Sequence, residues 1–468
     1  MLSDAQHERF CQKMRNEGLP EIAIAAFSRA LRFVAEGGAT TIAETAIEPV
    51  DRLEHLDGLD RYEAAGREAV QHSVVIKLNG GLGTSMGLSK AKSLLEVRKG
   101  VTFLDLIARQ VLAQRDAWGG ELSLLLMNSF RTRDDSLAAL AKYEGLARDL
   151  PLDFVQHKVP RIDIEAEAWA PVEWPSDADL EWCPPGHGDL YIALASSGML
   201  DALRARGIRY AFVSNADNLG AVLDPRILGY MASQELPFLM EVAERTEADK
   251  KGGHLARRDG QLLLREVAQC PKEDLEAFQD VGRHRFFNTN NLWVDLDALA
   301  HALEASSEGL ALPVISNEKR VSSVDDSSPR CLQLETAMGS AIECFEGAEA
   351  IVVPRVRFAP VKTTNDLLLL WSDAYDMTDD ARMVPAQTAD PIDRVIDLDS
   401  RYYGKIDDLS KRFASGAPSL IKCRRFSVAG DHEFGPDVSI EGDVQLVNEA
   451  DEPVEVAAGS VLSGTSSD

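Results

Sequence analysis

Short apolar runs alternate with longer amphipathic stretches through the middle of the chain. The apolar runs, rich in valine and leucine, lie at residues 74–78, 122–127, 210–213 and 237–242. The amphipathic stretches between them lie at residues 102–118, 136–150 and 189–206. This alternation of strand-length and helix-length segments predicts an α/β fold with a doubly wound sheet. Further strands are predicted at 262–267 and 292–294, and a helix from about Leu296.

The two ends of the chain have different patterns. Residues 1–72 show helical spacing of apolar side chains, as in Phe10 and Met14, and no convincing strand. Residues 386–413 show no clear apolar period, and valines and glycines then recur at short spacing, which is typical of short β coils. We therefore expect a helical N-terminal segment (1–72), a large α/β domain (73–384), and a C-terminal linker with a small β module (385–468).

The chain of 468 residues is strongly acidic. Its 49 lysines and arginines against 76 aspartates and glutamates give a net charge of −27. Binding to nucleic acid in general and to anionic membranes needs a basic surface, so we expect neither as a partner. If a ligand is anionic, the positive groups that hold it must be few and local.

The sequence also bears on the cellular compartment. The start of the chain lacks the basic and then apolar pattern of a signal peptide, and no apolar run approaches the ~18 residues of a membrane helix. We therefore expect a cytoplasmic protein. The six cysteines are scattered without a C-x-x-C pair, so we expect reduced, mostly buried thiols rather than a zinc or redox site.

Polar residues follow the predicted strands at the points where the strands end. The first run is followed by a glycine-rich loop at 79–87, the second by Asn-Ser-Phe at 128–130 and the third by Ser-Asn-Ala-Asp-Asn at 214–218, while Glu241 lies near the end of the fourth. In open α/β sheets, ligands bind beyond the carboxyl ends of the strands. The sequence therefore predicts a ligand site at this edge of the sheet.

The glycine-rich loop is the sharpest of these features. Glycines at 80, 81, 83 and 87 allow backbone N–H groups to approach a phosphate or a base closely, and a structural bend is the alternative. Ser85 fits the G-x-S-x-G pattern of serine hydrolases, but the strand ends several residues too early for a nucleophile elbow. A dinucleotide fingerprint and a Walker A loop also fit poorly, because neither a helix nor Gly-Lys-Ser/Thr follows directly.

Four charged residues are candidates for phosphate and metal chemistry. Lys90 and Lys92 follow the loop, and either could place an ammonium on phosphate oxygens, with an ordinary surface position as the alternative. Asp217, at a strand end, is a natural Mg²⁺ ligand, because a Mg²⁺ ion shared with phosphates needs only one or two carboxylates. Lys362 is a candidate for a second phosphate clamp from far along the chain.

Two uncharged groups could also contact a ligand. His187 stands between two glycines at a predicted helix start and could hold a phosphate or ribose oxygen, or could be a structural hydrogen-bonding residue. The asparagines at 288–291 offer neutral donors and acceptors suited to sugar hydroxyls. An asparagine-rich turn before a strand is the alternative reading of that segment.

Eight motifs, in order between about residues 74 and 375, resemble those of the UTP–glucose-1-phosphate uridylyltransferase family (UDP-glucose pyrophosphorylases). They lie at residues 77–87, 126–130, 184–189, 212–219, 251–253, 287–293, 333–337 and 360–364. The element Asn-Thr-Asn-Asn-Leu-Trp at 288–293 is more similar to the glucose enzymes than to the related N-acetylglucosamine enzymes. The resemblance implies a nucleotide-diphospho-sugar transferase (Rossmann-like) core with a helical N-terminal segment and a small C-terminal left-handed β-helix.

The resemblance also implies an activity. A phosphate oxygen of glucose 1-phosphate would attack the α-phosphorus of UTP in line, with Mg²⁺ as cofactor, to give UDP-glucose and pyrophosphate. No protein nucleophile would be needed, because a sugar phosphate is already anionic at neutral pH, so catalysis would rest on positioning and charge neutralisation. The alternatives are the same reaction on galactose 1-phosphate or N-acetylglucosamine 1-phosphate, and a non-catalytic sugar-nucleotide-binding protein.

The family's residue roles transfer to this chain motif by motif. Gln156 would read uracil, and the nucleotide contacts implied are Leu78, Asn79, Gly80, Gly81, Gln156, Gly186, Asn215 and Ala216. The sugar contacts implied are His187, Glu241, Gly253 and Asn290. Lys92 and Lys362 would contact the phosphates at the reacting centre, and Asp217 would bind Mg²⁺.

One motif departs from the family pattern. A Gly-Pro pair usually precedes the loop lysine, whereas this chain reads Lys90-Ala91-Lys92. Which of the two lysines reaches the phosphates is therefore open from the sequence. The oligomeric state is also open, although the C-terminal β module could form an oligomer through its strand edges.

Overall fold

The structure is a computed structural model that describes residues 2–322, 325, 327–386 and 394–467. The α-helices of these residues are α1 (Asp4–Asn16), α2 (Glu21–Ala35), α3 (Glu63–Ala69), α4 (Phe103–Trp118), α5 (Arg133–Leu140), α6 (Leu190–Ser196), α7 (Met199–Ala205), α8 (Pro225–Ser233), α9 (Leu275–Gln279), α10 (Leu296–Glu304), α11 (Thr364–Trp371), α12 (Ser400–Tyr403) and α13 (Ile406–Arg412).

The strands of the same residues are β1 (Glu48–Pro49), β2 (Glu54–His55), β3 (Ser73–Asn79), β4 (Glu96–Arg98), β5 (Val101–Thr102), β6 (Ser123–Asn128), β7 (Asp153–Val155), β8 (Val159–Pro160), β9 (Ile162–Asp163), β10 (Ala170–Pro171), β11 (Trp182–Cys183), β12 (Tyr210–Asn215), β13 (Phe238–Glu244), β14 (His254–Arg258), β15 (Gln261–Arg265), β16 (Phe286–Asp295), β17 (Val314–Arg320), β18 (Arg330–Thr336), β19 (Glu349–Val352), β20 (Tyr375–Met377), β21 (Met383–Pro385), β22 (Val395–Leu398), β23 (Cys423–Ala429), β24 (His432–Phe434), β25 (Ser439–Val447), β26 (Val454–Val456) and β27 (Val461–Ser467).

A large mixed sheet lies at the centre, with strand order β2-β19-β13-β16-β12-β3-β6-β7. Strands β12, β3, β6 and β7 run parallel, and β16 runs antiparallel to both β12 and β13. The predicted strands at 74–78, 122–127, 210–213 and 237–242 are β3, β6, β12 and β13 of this sheet. The predicted α/β fold is therefore confirmed, with a mixed central sheet.

Helices cover both faces of the sheet. Successive side chains on a strand point to opposite faces. In β3, the buried Ile76 packs in one core with residues of α6, α7 and α10, whereas the buried Val75 packs in a second core with residues of α4 and α8. A strand that is covered on both faces has no side exposed to solvent. Its sequence is therefore a continuous apolar run and does not alternate between apolar and polar residues.

Three predicted elements differ from those observed. The stretch 136–150 gives only α5, which ends at Leu140. The stretch 189–206 is divided into α6 and α7, because Gly198 between them is left-handed, with φ 74°. The strand predicted at 292–294 is the end of the longer β16, so the asparagines at 288–291 lie inside a strand and not in a turn before it.

The predicted N-terminal helices are confirmed as α1 and α2. They pack through Phe10, Met14 and Phe27 against residues from β17 and β18, such as Val314. The expectation that residues 1–72 lack strands was wrong, because β1 pairs with β14 and β2 pairs with β19. Each of these strands has only 2 residues, too few to show a period of two in the sequence.

The C-terminal residues form parallel β coils. Strands β22, β23, β25 and β27 pair in parallel in that order, and β24 pairs in parallel with β26. Phe426 and Val428 of β23 belong to the same core as Phe103 of α4 and Leu367 of α11. The β module therefore packs on elements of the α/β domain. Residues 387–393 of the predicted linker lie outside the described residues.

The cysteines agree with the expectation of reduced, mostly buried thiols. All six cysteines are free, and Cys11, Cys183, Cys331 and Cys423 are buried.

Over the described ranges, no helix combines the length and the apolar character needed to cross a membrane.

Candidate active site

An open cleft lies at the carboxyl ends of β3, β6 and β12. It encloses about 330 Å³, and its lining includes glycines, side-chain amides and the charged pair of Lys92 and Asp217. The lining residues are Leu78, Asn79, Gly80, Gly81, Lys92, Ser93, Met127, Gln156, Pro184, Gly186, His187, Asn215, Ala216, Asp217 and Glu335. The residues assigned from the sequence that do not line it are Lys362, Glu241, Gly253 and Asn290. Most of the assigned residues therefore meet in one place.

The side chain of Asn79 braces the glycine-rich loop. Its Nδ2 donates hydrogen bonds to Asn128 Oδ1 at 2.7 Å and to Ser136 Oγ at 2.8 Å, and its Oδ1 accepts one from Ser93 Oγ. Because these contacts occupy the amide of Asn79, the main chain of residues 78–81 is the part of the loop that can serve a ligand.

Gly80 gives Gln156 room to enter the cleft. A Cβ on Gly80 would lie 2.7 Å from Gln156 Oε1 and 2.8 Å from Gln156 Nε2. The main chain of Gln156 is fixed, because its N–H donates to Asn128 O at 2.8 Å. Its side-chain amide offers a donor and an acceptor side by side, which suits the edge of a planar base. A Cβ on Gly81 would meet nothing within 4 Å, so space for a ligand remains there.

Lys92 and Asp217 form an ion pair in the cleft. Lys92 Nζ lies 2.6 Å from Asp217 Oδ2, and the two side chains are 19% and 22% exposed. The N–H of Lys92 donates to Gly81 O at 3.2 Å, which ties the lysine to the glycine-rich loop. Lys90 is exposed and does not line the cleft. The geometry therefore favours Lys92 over Lys90 as the loop lysine that meets a ligand.

His187 is a neutral hydrogen-bond donor. The N–H of Met338 donates to His187 Nδ1 at 2.9 Å, so this nitrogen carries the lone pair and the proton is on Nε2. Burial lowers the pKa of His187 to about 4, which keeps the ring uncharged at neutral pH. Gly186 before it has φ 81°, and a Cβ there would lie 2.3 Å from Thr336 O, so this position requires glycine.

Glu241 lies in the protein interior rather than in the cleft. The residue is 0% exposed, and Arg357 donates to its two carboxylate oxygens at 2.6 and 2.7 Å. Asn291 and Trp293 each donate one further hydrogen bond. The expectation that Glu241 faces the hexose therefore disagrees with its position, because protein donors occupy the acceptor sites of both oxygens.

Gly253 and Asn290 form a second group, which is connected to His187 through Asn288, Gly339 and Met338. Asn290 is left-handed, with φ 59°, in a β-bulge where β16 shifts register against β13. Asn288 connects the two residues: its N–H donates to Gly253 O at 3.1 Å and its Nδ2 to Asn290 Oδ1 at 2.9 Å. Met338 donates its N–H to His187 Nδ1, and a Cβ on the next residue, Gly339, would lie 2.7 Å from Asn288 Nδ2.

Glu266, whose carboxylate lies against Gly253, is a candidate that was not predicted from the sequence. A Cβ on Gly253 would lie 2.5 Å from Glu266 Oε2, and burial raises the pKa of Glu266. Glu266 follows β15, and no motif in its local sequence marks it. Four further residues that line the cleft have no role predicted from the sequence, namely Ser93, Met127, Pro184 and Glu335.

Lys362 lies in a neighbouring cleft. Its side chain is exposed and lines a space of about 340 Å³ together with Ser85 and Lys405. The preceding residue, Val361, donates its N–H to Asp217 O at 3.1 Å. The main chain before Lys362 is therefore tied to Asp217, although its side chain is not part of the first cleft.

Two other kinds of site do not fit this geometry. Across residues 2–322, 325, 327–386 and 394–467, no group of three or more His, Cys, Asp or Glu side chains is placed to hold a metal. Ser85 lies in a 3₁₀ turn (Thr84–Met86) well after β3 ends. It therefore lacks the strand-to-helix elbow of a serine hydrolase.

Sequence comparisons place the chain among known enzymes. The family model of UTP–glucose-1-phosphate uridylyltransferase matches residues 24–441. A protein of that name from Solanum tuberosum is 41% identical over 424 residues, which cover 90% of this chain and 86% of the relative. Another, from Saccharomyces cerevisiae, is 40% identical over 388 residues, which cover 83% of this chain and 76% of the relative.

Solved structures agree with the sequence comparisons. A mutant UDP-glucose pyrophosphorylase from Leishmania major, crystallised in complex with UDP-glucose, has a TM-score of 0.92 and 44% identity, and 100% of both chains are covered. A UDP-glucose phosphorylase from Trypanosoma brucei has a TM-score of 0.89 and 43% identity, with 99% of this chain and 100% of that chain covered. This chain belongs to the UTP–glucose-1-phosphate uridylyltransferase family.

Proposed function

We propose that this protein forms UDP-glucose and pyrophosphate from UTP and glucose 1-phosphate, with Mg²⁺ as cofactor. Family membership supports the proposal. The observation that carries it is the cleft in which Gly80, Gln156 and the Lys92–Asp217 pair meet. On a chain with a net charge of −27, two anionic substrates need such a locally placed positive group.

Neutral groups hold the nucleotide. The amide of Gln156 reads the edge of uracil beside Gly80, with Gly186 nearby in the lining. The backbone of Leu78, Asn79, Gly80 and Gly81 contacts uracil and the phosphates, and Asn215 and Ala216 line the nucleotide and sugar site. The support for these roles is that all of these residues line one cleft and that the amide of Asn79 is occupied by protein partners.

Directional hydrogen bonds hold the sugar. His187 donates from Nε2 to the sugar nucleotide, and Gly253 and Asn290 face the hexose. Glu266 takes the place that the sequence assigned to Glu241, because Glu266 lies beside Gly253 whereas Glu241 is buried in an ion pair. Hydroxyl groups need directional donors and acceptors, and the side chains of His187, Asn290 and Glu266 can provide them.

The reaction is an in-line displacement at phosphorus. A phosphate oxygen of glucose 1-phosphate forms a bond to the α-phosphorus of UTP, and the bond from that phosphorus to the departing pyrophosphate breaks. The protein holds two mutually repelling anions together and neutralises the charge between them. Lys92 supplies one positive charge from the loop. Lys362 supplies a second from the neighbouring cleft, where its segment is tied to Asp217 through the N–H of Val361.

Asp217 is the proposed Mg²⁺ ligand. A single carboxylate fits an ion that takes most of its oxygens from phosphates and water. When bound, Mg²⁺ supplies further charge neutralisation on the phosphates. Lys92, 2.6 Å from the same carboxylate, orients Asp217 at the edge of the cleft.

We also propose the finer architecture. A Rossmann-like catalytic core at 73–384 lies between an N-terminal segment (1–72), which is helical apart from β1 and β2, and a linker with a left-handed β-helix (385–468). The parallel pairing of β22, β23, β25 and β27 supports the β-helix. Strand β27 is the last strand of its sheet, and such a strand edge supports an oligomer formed through this module. Sedimentation velocity of the full chain tests it.

Release of pyrophosphate from UTP tests the proposed function. The purified protein would be assayed with the 1-phosphates of glucose, galactose and N-acetylglucosamine, with Mg²⁺ present or removed by a chelator. We expect release to be fastest with glucose 1-phosphate and to stop on chelation. Nucleotide binding without pyrophosphate would instead indicate a non-catalytic binding protein, and a preference for another sugar would correct the substrate.

A further inference from the structure

A buried group of hydrogen-bonded side chains lies next to the Asp217 turn. The Glu241 network consists of Glu241, Asn291, Trp293 and Arg357. Arg357 Nε donates to Glu241 Oε2 at 2.7 Å and Arg357 Nη2 to Glu241 Oε1 at 2.6 Å, while Asn291 and Trp293 donate at 3.0 and 2.9 Å. Arg357 Nη2 also donates to Val222 O at 2.9 Å. The carboxylate and the guanidinium fork are therefore held in one orientation.

The main chain of Arg357 joins this network to the turn that carries Asp217. Asn218, the next residue after Asp217, donates from Nδ2 to Arg357 O at 3.1 Å. Asn218 Oδ1 accepts the N–H of Ala359 at 2.9 Å, and Val361 N–H donates to Asp217 O at 3.1 Å. The segments 217–220 and 357–361 are thus linked residue by residue, and Lys362 follows directly.

The two segments are also in close steric contact. A Cβ on Gly220 would lie 2.1 Å from Val356 O and 2.8 Å from the carbonyl carbon of Arg357. The two segments therefore have no free space between them at Gly220. We expect any shift of Arg357 to displace the Asp217 turn, the Lys362 segment or both.

We propose that Glu241 and Arg357 are positioning residues, which set the placement of Asp217 and Lys362 relative to each other through the segments 217–220 and 357–361. This inference rests on the proposed function. It assigns to Glu241 a role different from contact with the hexose. An arginine suits this role because its planar fork binds both carboxylate oxygens at once, which a lysine cannot do.

The test compares two arginine-to-lysine variants of the full chain. Arg357→Lys keeps the charge but loses the fork. Arg412→Lys is the matched control, because Arg412 is also buried and also forms two hydrogen bonds to a carboxylate, that of Asp431. Its other side-chain hydrogen bond goes to Asp408 O, so none of the three reaches segment 217–220 or 357–361. Each variant is assayed for kcat, KM for UTP, the Mg²⁺ concentration for half-maximal activity and thermal unfolding.

We expect Arg357→Lys to lower kcat at least tenfold and to raise the half-activating Mg²⁺ concentration at least threefold. KM for UTP should rise by a clearly smaller factor than kcat falls, because Gly80 and Gln156, which are proposed to hold the base, lie outside the linked segments. Arg412→Lys should change none of these more than twofold. A kcat and Mg²⁺ requirement within twofold of the parent for a folded Arg357→Lys would overturn the proposal. A rise in KM for UTP as large as the fall in kcat would also overturn it, because it would indicate general loss of structure.

A second variant covers the case in which Arg357→Lys does not fold. Asn218→Ser removes the amide that connects the two segments while leaving the Glu241–Arg357 ion pair intact, and the same thresholds apply to it. The parent protein separates the two hypotheses: no pyrophosphate from the parent would refute the proposed function, whereas an active parent with unaffected variants would refute only the positioning role.

Discussion

Replacing Gly80 with alanine should weaken the binding of uridine nucleotides. The new Cβ would lie 2.7 Å from Gln156 Oε1, whereas ordinary contacts of a Cβ begin at 3.4 Å, so the amide has to retreat by about 0.7 Å. A displaced amide leaves the base edge imperfectly paired, which costs ~1–3 kcal/mol. This corresponds to a rise in the dissociation constant of roughly 5-fold to 150-fold.

The measurement is a double-mutant cycle on UDP-glucose binding. Dissociation constants would be measured by calorimetry for the parent, Gly80→Ala, Gln156→Ala and the double variant. Because the effect of Gly80→Ala acts through Gln156, we expect Gly80→Ala to cost little in the Gln156→Ala background. Thermal unfolding of each variant controls for loss of structure.

Two results would refute this reasoning. Binding by Gly80→Ala within twofold of the parent would show that the Gln156 amide does not read the base from its present position. A loss that persists unchanged in the Gln156→Ala background would show that Gly80 acts by another route, such as direct contact of its own backbone with the ligand.

Three further predictions concern the lining of the cleft. Lys92→Ala should lower kcat by ~10²–10³, and Lys90→Ala by less than threefold; the opposite order in a pyrophosphate assay would reverse the assignment. The pKa of His187 is about 4 in the folded protein and about 6.5 in the unfolded chain. Its contribution to stability is therefore full above pH 6.5 and is lost as the pH falls toward 4. The free energy of unfolding in urea should fall less between pH 7 and pH 4.5 for His187→Gln than for the parent. Gly186→Ala should lower the free energy of unfolding by at least ~1 kcal/mol, because the backbone of Gly186 (φ 81°, ψ 170°) lies in a region that is essentially restricted to glycine. A clash with Thr336 O should add to this, and an unchanged denaturation midpoint would contradict it.

The apolar pattern was sufficient to predict the core of the fold. Strands β3, β6, β12 and β13 are continuous apolar runs because helices cover both faces of the sheet. The two-residue strands β1 and β2 could not be predicted, since their pairing with β14 and β19 is decided by tertiary packing rather than by a local pattern. The break between α6 and α7 could have been suspected from Gly198, which is left-handed in the structure.

The candidate site was predictable where its residues follow strands in the sequence. The glycine-rich loop, Asn215 and Asp217 lie at the ends of β3 and β12, which pair in register. The positions of the two acidic residues could not be predicted in the same way. Glu241 is withdrawn into an ion pair with Arg357, 116 residues away in the chain, and Glu266 reaches Gly253 only because β14 and β15 fold back on each other.

The most direct test of the proposed site is a crystal structure of this protein with UDP-glucose. We predict that uracil lies within hydrogen-bond distance of the Gln156 amide, with the phosphates beside Lys92 and Asp217 and the hexose beside Gly253 and Asn290. A nucleotide bound elsewhere, such as in the cleft lined by Ser85, Lys362 and Lys405, would contradict the assignment of the cleft at the ends of β3, β6 and β12 as the active site.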